Sequence, residues 1–151
     1  MPSTGVPRRE PMLLYLLKQV ELAARARLDD IVRPLGLTAL QYTALGILER
    51  QNGITSAQLA RNSFVTAQSM ADMIAILEGR GVIERHRDTA DRRRLVVSLT
   101  AEGRGLLDRC RPQVAALEAS MLTGLTPGEV EDLRHGLRSC HSNLSGSPLV
   151  L

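Results

Sequence analysis

A cluster of arginines and aspartates in the middle of the chain holds the side chains best suited to chemistry. Residues 85–94 read RHRDTADRRR, in which Asp88 and Asp91 are turn formers and Arg92, Arg93 and Arg94 follow them. Guanidinium groups bind phosphate strongly because they donate charge-assisted, often bidentate, hydrogen bonds. The cluster therefore predicts contact with the phosphates of a nucleic acid.

The distribution of charge points to the same segment. The chain of 151 residues has a formal net charge of +3. Between Arg50 and Arg94 there are eight arginines and five acidic residues, whereas the remainder has eleven basic and eleven acidic residues. Because a concentrated basic segment is the electrostatic footprint of a DNA-binding surface, we favour a nucleic acid partner. A solvated charged surface is the alternative interpretation.

Thiols and imidazoles form a second group of reactive side chains. Cys110 and Cys140 fall on apolar helix faces, where thiols are usually inert. The spacing of His135 and His141 does not place both rings on one helical face, and the sequence contains no C-x-x-C pair. We therefore expect no metal and no cofactor. A redox- or metal-responsive sensor using Cys110, Cys140 and His141 is kept as an alternative function.

The sequence contains no nucleophile elbow, phosphate loop or HExxH motif, so we expect no enzymatic activity and no catalytic residues. Hydrophobic residues make up 44% and charged residues 23% of the chain, which is ordinary for a globular protein. No apolar run approaches the roughly 20 residues of a membrane helix, and no signal peptide is visible. These features predict a cytoplasmic protein with no membrane partner.

Two short helices and a hairpin must position the arginine cluster. Thr55 can cap the first helix with Gln58 as its reciprocal partner, and Thr66 can cap the second, which ends at Gly81. A strand over 82–85 and an alternating, half-buried strand over 95–99 flank the cluster. Two helices joined by a short turn predict a helix-turn-helix, whose second helix enters the DNA major groove, and the hairpin predicts a wing.

This segment resembles the MarR family of bacterial transcriptional regulators. The matching motifs are D-x-x-D-x-R (Asp88, Asp91, Arg93), L-x-V-x-L-T (Leu95 to Thr100) and LEGRGVIER (Leu77 to Arg85). The similarity in layout extends from about Met12 to Leu144. The resemblance implies that Arg93 enters the minor groove, that Asp91 helps to hold it, and that the terminal helices form a homodimer.

The helices on either side of the winged segment are more apolar than that segment alone requires. We predict a helix over residues 12–33 and further helices over 101–145. Leu40, on the helix that follows the first, should face inward. The last helix should face inward with Val130, Leu133, Leu137, Cys140 and Leu144. Pro112 should kink or interrupt the first of these C-terminal helices. Their expected use is a two-fold dimer interface, and a monomeric helical lobe is the alternative.

The predicted fold is mainly α with a small β-hairpin. It combines a winged helix-turn-helix DNA-binding lobe over about 38–100 with a helical dimerisation lobe built from the N- and C-terminal helices, 12–33 and 101–145. These form one domain over 12–145, between a flexible arm at 1–11 and a tail at 146–151. We expect these residues to contact DNA: Thr55, Ser56, Thr66, Gln68, Ser69, Asp72, Arg92, Arg93 and Arg94, with Asp88 and Asp91 supporting the wing. The alternatives are that Thr66 is only a cap, that Asp72 holds a neighbouring arginine, and that Arg92 or Arg94 pairs with Asp88.

The favoured function is a sequence-specific transcriptional regulator, a repressor that binds a near-palindromic operator in double-stranded DNA as a homodimer. In MarR relatives, small aromatic acids or phenols bind between the dimer helices and the winged lobe, so the resemblance implies release by such a ligand. Tyr15, Lys18 and Tyr42 are the residues we assign to that effector; the alternative is that the tyrosines are core or interface residues and Lys18 is solvated. An architectural DNA-binding protein without an effector is the remaining alternative.

Overall fold

A computed structural model describes residues 9–146 of the chain as six α-helices and one hairpin. In chain order these are α1 (Leu13–Val32), a 3-10 turn (Arg33–Leu35), α2 (Ala39–Arg50), α3 (Ser56–Asn62), α4 (Ala67–Gly79), β1 (Ile83–Arg87), β2 (Leu95–Leu99), α5 (Ala101–Met121) and α6 (Pro127–Ser145). The predicted class, mainly α with a small hairpin, is confirmed. Most of the predicted arm and all but the first residue of the predicted tail lie outside the described residues.

Local sequence sets where the helices begin. Full capping boxes open three helices, at Thr38 and Gln41 (α2), Thr55 and Gln58 (α3), and Thr126 and Glu129 (α6). The side chains of Thr66 and Thr100 accept backbone hydrogen bonds at the starts of α4 and α5. Each cap satisfies backbone N–H groups that the first helical turn leaves without partners, which fixes the start of the helix at that residue.

The hydrophobic core lies in the winged lobe. It is built from fully or almost fully buried side chains of five elements: Leu45 and Leu48 of α2, Leu59 of α3, Met70, Ile74 and Leu77 of α4, Val97 and Leu99 of β2, and Leu106, Leu107 and Cys110 of α5. Burying each large aliphatic side chain stabilises the fold by about 1.5–3 kcal/mol. The helix-turn-helix and the base of the wing are therefore held on one rigid core.

The wing is an antiparallel hairpin in which Ile83 is opposite Leu99 and Arg87 is opposite Leu95. The prediction of a half-buried β2 is wrong, because residues 96–99 are all buried. Ser98 lies on the face of β2 that we expected to meet water. His86 covers it, with Nε2 2.7 Å from the Ser98 hydroxyl. The strand is also held along its other edge, where Ile54 pairs with Val97.

The terminal helices expose apolar side chains in the single chain. Leu13 is 75% exposed, Leu144 is 86% exposed, and α6 has no buried residue. The predicted inward orientation of the apolar residues of α6 is therefore wrong for one chain, because within residues 9–146 no side chain of this helix is buried. Within residues 9–146, no single helix has the length and apolarity to cross a membrane; Leu13–Leu35 and Ala39–Arg50 meet that requirement only as a pair bent by 83°.

Pro112 lies inside α5, which continues from Ala101 to Met121. Of the two outcomes predicted for this proline, interruption does not occur. Pro112 is exposed, so water can reach the backbone carbonyl that loses its N–H partner at this position. The helix thus passes from the core of the winged lobe into the region of the terminal helices without a break.

Candidate nucleic-acid interface

The first turns of α4 present a row of exposed polar side chains. The Gln68 amide donates to a carboxylate oxygen of Asp72 at 3.1 Å, one turn further along the helix. The Thr66 hydroxyl accepts the N–H of Ser69 at 3.1 Å and donates to its hydroxyl at 3.0 Å. Thr66 and Ser69 are therefore largely engaged in the cap, whereas Gln68 and Asp72 form an exposed polar pair on the surface that a recognition helix turns towards base edges.

The start of α3 is more enclosed. The half-buried Thr55 accepts the N–H of Gln58 at 3.2 Å and donates its hydroxyl to the side-chain oxygen of Gln58 at 3.1 Å. Ser56 is also half-buried. The cap occupies the Thr55 hydroxyl, so contact of Thr55 and Ser56 with DNA stays a prediction.

Two aspartates shape the loop of the wing. Oδ1 of Asp88 accepts the N–H of Ala90 at 3.0 Å, and Oδ1 of Asp91 accepts the N–H of Arg93 at 3.1 Å. Each is an Asx turn, in which a short carboxylate side chain binds the backbone two residues further on. The N–H of Asp88 also donates to the Arg94 carbonyl at 2.9 Å and closes the loop. The two Asx turns thus set the backbone path from which Arg92, Arg93 and Arg94 project.

The three arginines of the loop differ in their surroundings. Nε of Arg93 lies 3.2 Å from Oδ1 of Asp91, yet the Arg93 side chain is 92% exposed. The backbone and side-chain hydrogen bonds from Arg93 hold the pKa of Asp91 below its usual value, so this carboxylate stays charged. Arg92 is also exposed. The structure therefore presents Arg93 outward at the tip, with its guanidinium oriented by Asp91.

Arg94 has a different role from its neighbours. It lies 3.4 Å from Oδ2 of Asp88 and donates to the side-chain oxygen of Gln58 at 3.3 Å. These contacts fasten the wing to the start of α3. The pair with Asp88 was foreseeable from the sequence as an alternative to phosphate contact. The bond to Gln58 was not, because it joins residues that are 36 positions apart.

A groove of about 950 Å³ lies between α1, α2, α5 and the turn that joins α3 to α4. Its walls are mainly apolar and include Leu14, Leu17, Leu28, Leu40, Val114 and Met121. Leu40 is 40% exposed, so its predicted inward position is wrong: it faces this groove and not the core.

Charged side chains of α1 also line the groove. Nζ of Lys18 lies 3.3 Å from Glu21, and Arg25 binds the other carboxylate oxygen of Glu21. Desolvation raises the pKa of Glu21, but the hydrogen bonds from Arg25 and Lys18 outweigh it and leave the pKa below its usual value. Lys18 and Arg25 thus share one carboxylate on α1, and Glu118 of α5 also lines the groove.

The groove reaches the turn of the helix-turn-helix itself. Ser63, Phe64 and Val65 line it. The Ser63 hydroxyl is buried and has no hydrogen-bond partner among the described residues. Phe64 is 81% exposed and adopts a left-handed backbone conformation (φ 56°), which is strained for a non-glycine residue. A molecule bound along this part of the groove would therefore lie against the turn that leads into α4.

The predicted effector residues are not brought together. Lys18 lines the groove, whereas Tyr15 and Tyr42 are not among its lining residues. Tyr15 is 57% exposed on α1, and Tyr42 packs against the core, where burial raises the pKa of its phenol. Sequence reasoning missed Arg25 and Ser63, because only the folded arrangement places them on one surface with Lys18.

The two cysteines occupy different environments. Cys110 is fully buried on α5, and burial raises the pKa of its thiol. Cys140 is exposed on α6. In the part of the chain that the structure describes, no group of three or more His, Cys, Asp and Glu side chains is arranged to hold a metal ion.

Comparison with known proteins gives a consistent result. The model of the MarR family matches residues 37–95. The HTH-type transcriptional repressor Rv2887 of Mycobacterium tuberculosis is 33% identical over 129 residues, which cover 85% of this chain and 93% of that protein.

Solved structures agree with the sequence comparisons. A MarR family regulator from Silicibacter pomeroyi superposes with a TM-score of 0.77 at 27% identity, covering 86% of this chain and 88% of the other. CouR from Rhodococcus jostii RHA1, bound to p-coumaroyl-CoA, also superposes with a TM-score of 0.77. It is 26% identical, and the match covers 85% of this chain and 90% of CouR. With the helix-turn-helix and wing described above, these matches show that the chain belongs to the MarR family of winged helix-turn-helix transcriptional regulators.

Proposed function

We propose that the protein is a cytoplasmic homodimeric repressor that binds a near-palindromic operator and leaves it when a small aromatic ligand binds. The observation that carries this proposal is the exposed Arg93, oriented by Asp91 at the tip of the wing, on the same rigid lobe as the polar start of α4. The mycobacterial relative is named a repressor, which supports repression and not activation for this protein.

In this proposal α4 reads the major groove and the wing reads the minor groove. Gln68 pairs with adenine, and Asp72 restrains its amide. Arg93 enters the minor groove, where the negative potential attracts a guanidinium. The remaining predicted residues contact phosphates or adjacent base edges: Thr55, Ser56, Thr66, Ser69, Arg92 and Arg94.

The homodimer is supported by the exposed apolar surface of α1 and α6. Leu13 and Leu16 on α1, and Leu133 and Leu137 on α6, are each between 42% and 75% exposed in one chain. A second copy would cover this surface and place two recognition helices on successive major grooves. This assigns residues 12–33 and 101–145 to dimerisation, and 38–100 to DNA binding.

Sedimentation at micromolar concentration tests the dimer. Leu137→Lys should give monomers, because an ammonium group would replace an apolar contact twice in a two-fold interface. Ser139→Lys adds the same charge to an exposed site on α6 away from the apolar stripe and should remain dimeric. A Leu137→Lys protein that sediments as a dimer would contradict this interface.

The proposed ligand has a planar apolar body and an anionic group. The groove is within the size range of small-molecule sites, its walls suit an aromatic ring, and Lys18 and Arg25 suit a carboxylate. The aromatic acyl ligand of CouR supports the same class. Because the groove touches Ser63 and Phe64, a bound ligand would act on the segment immediately before α4.

Release of a fluorescent operator complex tests the ligand. Benzoate- and phenol-type compounds should dissociate the complex. Lys18→Ala should raise the benzoate concentration that dissociates the complex, and it should raise the concentration of the uncharged phenol less. Tyr42→Phe, outside the groove, should leave both unchanged. Equal sensitivity of wild type and Lys18→Ala to benzoate would remove Lys18 from the site.

A further inference from the structure

The recognition helix is tied to the end of the first helix by a single arginine. Arg80 is the residue after α4, and its guanidinium donates to the Gly36 carbonyl at 2.6 Å and to the Leu35 carbonyl at 2.8 Å. These carbonyls end the 3-10 turn that follows α1, 44 and 45 positions earlier in the sequence. Neither bond was predicted from the sequence.

The chemistry of the contact favours arginine. Carbonyls at the end of a helical turn lack N–H partners and carry partial negative charge. The planar guanidinium can donate to two neighbouring acceptors at once, which an ammonium group does not reproduce. Gly36 completes the fit: its φ is 73°, and a Cβ there would lie 3.4 Å from both terminal nitrogens of Arg80.

Arg80 also lies where three parts of the winged lobe meet. Immediately after it, the Gly81 carbonyl accepts the Thr100 hydroxyl at 2.7 Å, and the Val82 carbonyl accepts the Thr100 N–H at 3.1 Å. The end of α4, the start of the wing and the start of α5 are thus already joined on one side. Across residues 9–146, the bonds of Arg80 are the hydrogen bonds that connect this junction to the α1–α2 connection.

We propose that Arg80 is a positioning residue for operator recognition, which locks the C-terminal end of α4 to the end of α1. Since α1 belongs to the dimerisation lobe, the lock sets the angle at which each recognition helix leaves the dimer. The inference rests on the proposed DNA-binding function. The competing explanation is that Arg80 contacts a DNA phosphate.

Binding of Arg80→Ala and Arg80→Lys to a selected operator and to random-sequence DNA, over a range of salt, separates the two explanations. If Arg80 acts as a lock, the ratio of operator affinity to random-DNA affinity should fall about 3- to 30-fold in both variants. The salt dependence of binding should change little. Arg109→Ala, which removes an exposed arginine from α5, should behave as wild type. A phosphate contact instead predicts that Lys restores binding and that Ala weakens both DNAs equally, reducing the salt slope by about 0.9.

Hydrogen exchange on the free protein tests the lock without DNA. The N–H groups of Gly36 and Leu37 donate to Arg33 and Val32, and these amides should lose protection in both Arg80 variants but not in Arg109→Ala. Unchanged exchange in both variants would overturn the lock. Lost protection with an unchanged preference for the operator would overturn its role in recognition. If wild type selected no sequence, the proposed function would fail while the exchange result would still decide the lock.

Discussion

Gly103 lies where α5 meets the base of the wing, and a single methyl group there should displace one from the other. A Cβ at this position would lie 2.2 Å from the Val82 carbonyl oxygen and 2.7 Å from Cδ1 of Leu99, whereas ordinary contacts begin at 3.4 Å. The nearer atom belongs to the backbone, so the strand or the helix must move by about 1 Å. We therefore expect Gly103→Ala to lower the free energy of unfolding by about 1–3 kcal/mol.

Gly105 provides the matched control on the same helix. A Cβ there would meet nothing within 4 Å, so Gly105→Ala should only gain helix propensity, about 0.5–1 kcal/mol. The two variants should therefore differ by about 1.5–4 kcal/mol, with opposite signs. Because unfolding of a dimer depends on concentration, both proteins are melted in parallel at one fixed concentration. At roughly 2–4 °C per kcal/mol, Gly103→Ala should melt about 2–12 °C below wild type.

The same variant should bind operator DNA less tightly at temperatures where it is folded, because the wing moves with Val82. A Gly103→Ala protein with wild-type melting and wild-type DNA affinity would refute the packing argument at this junction. A loss of stability of similar size in Gly105→Ala would refute it as well, since that change has no steric cause.

Three further predictions concern the wing and the cysteines. Arg93→Ala should weaken operator binding by about 1–3 kcal/mol in a gel-shift titration, whereas Arg92→Ala should weaken all DNA similarly and reduce the salt slope by about 0.9. A thiol reagent at pH 8 should modify Cys140, which shares the α6 stripe of Leu137, faster in the monomeric Leu137→Lys protein than in the dimer, and Cys110 only after unfolding, as mass spectrometry would show. Because the folded pKa of Cys110 is raised, its contribution to stability is present below the ordinary thiol pKa of about 8.5 and lost as pH rises above it. In urea unfolding, the free energy of unfolding should therefore fall less at alkaline pH in Cys110→Val than in wild type.

Local features of the sequence predicted the elements of the winged lobe well. The capping threonines Thr38, Thr55 and Thr66 act on residues three positions away, so their effect is independent of the rest of the fold. The Asx turns of Asp88 and Asp91 are equally local. For this reason the helix starts and the hairpin were predictable before the tertiary structure was known, whereas the Asp91–Arg93 contact was implied by the resemblance to the MarR family.

Features that depend on packing between distant segments were not predictable. Periodicity placed Leu40 on an apolar stripe but could not show that the stripe faces a groove. Alternation in β2 suggested a solvent face, but His86 covers Ser98. The bonds of Arg80 to the α1–α2 connection span more than 40 positions and leave no pattern in the sequence. The tyrosines were assigned to the effector site by residue type and by the helices that carry them, and the fold places Tyr42 against the core.

A dimer of this chain that reads DNA through α4 and the wing should select one operator from random duplex DNA. Selection by the wild-type protein, followed by footprinting, should give one near-palindromic sequence with half-sites about 10 bp apart. Wild type should protect this sequence, and Arg93→Ala should not. Enrichment of no sequence, or of a single half-site occupied by a monomer, would contradict DNA recognition by the dimer.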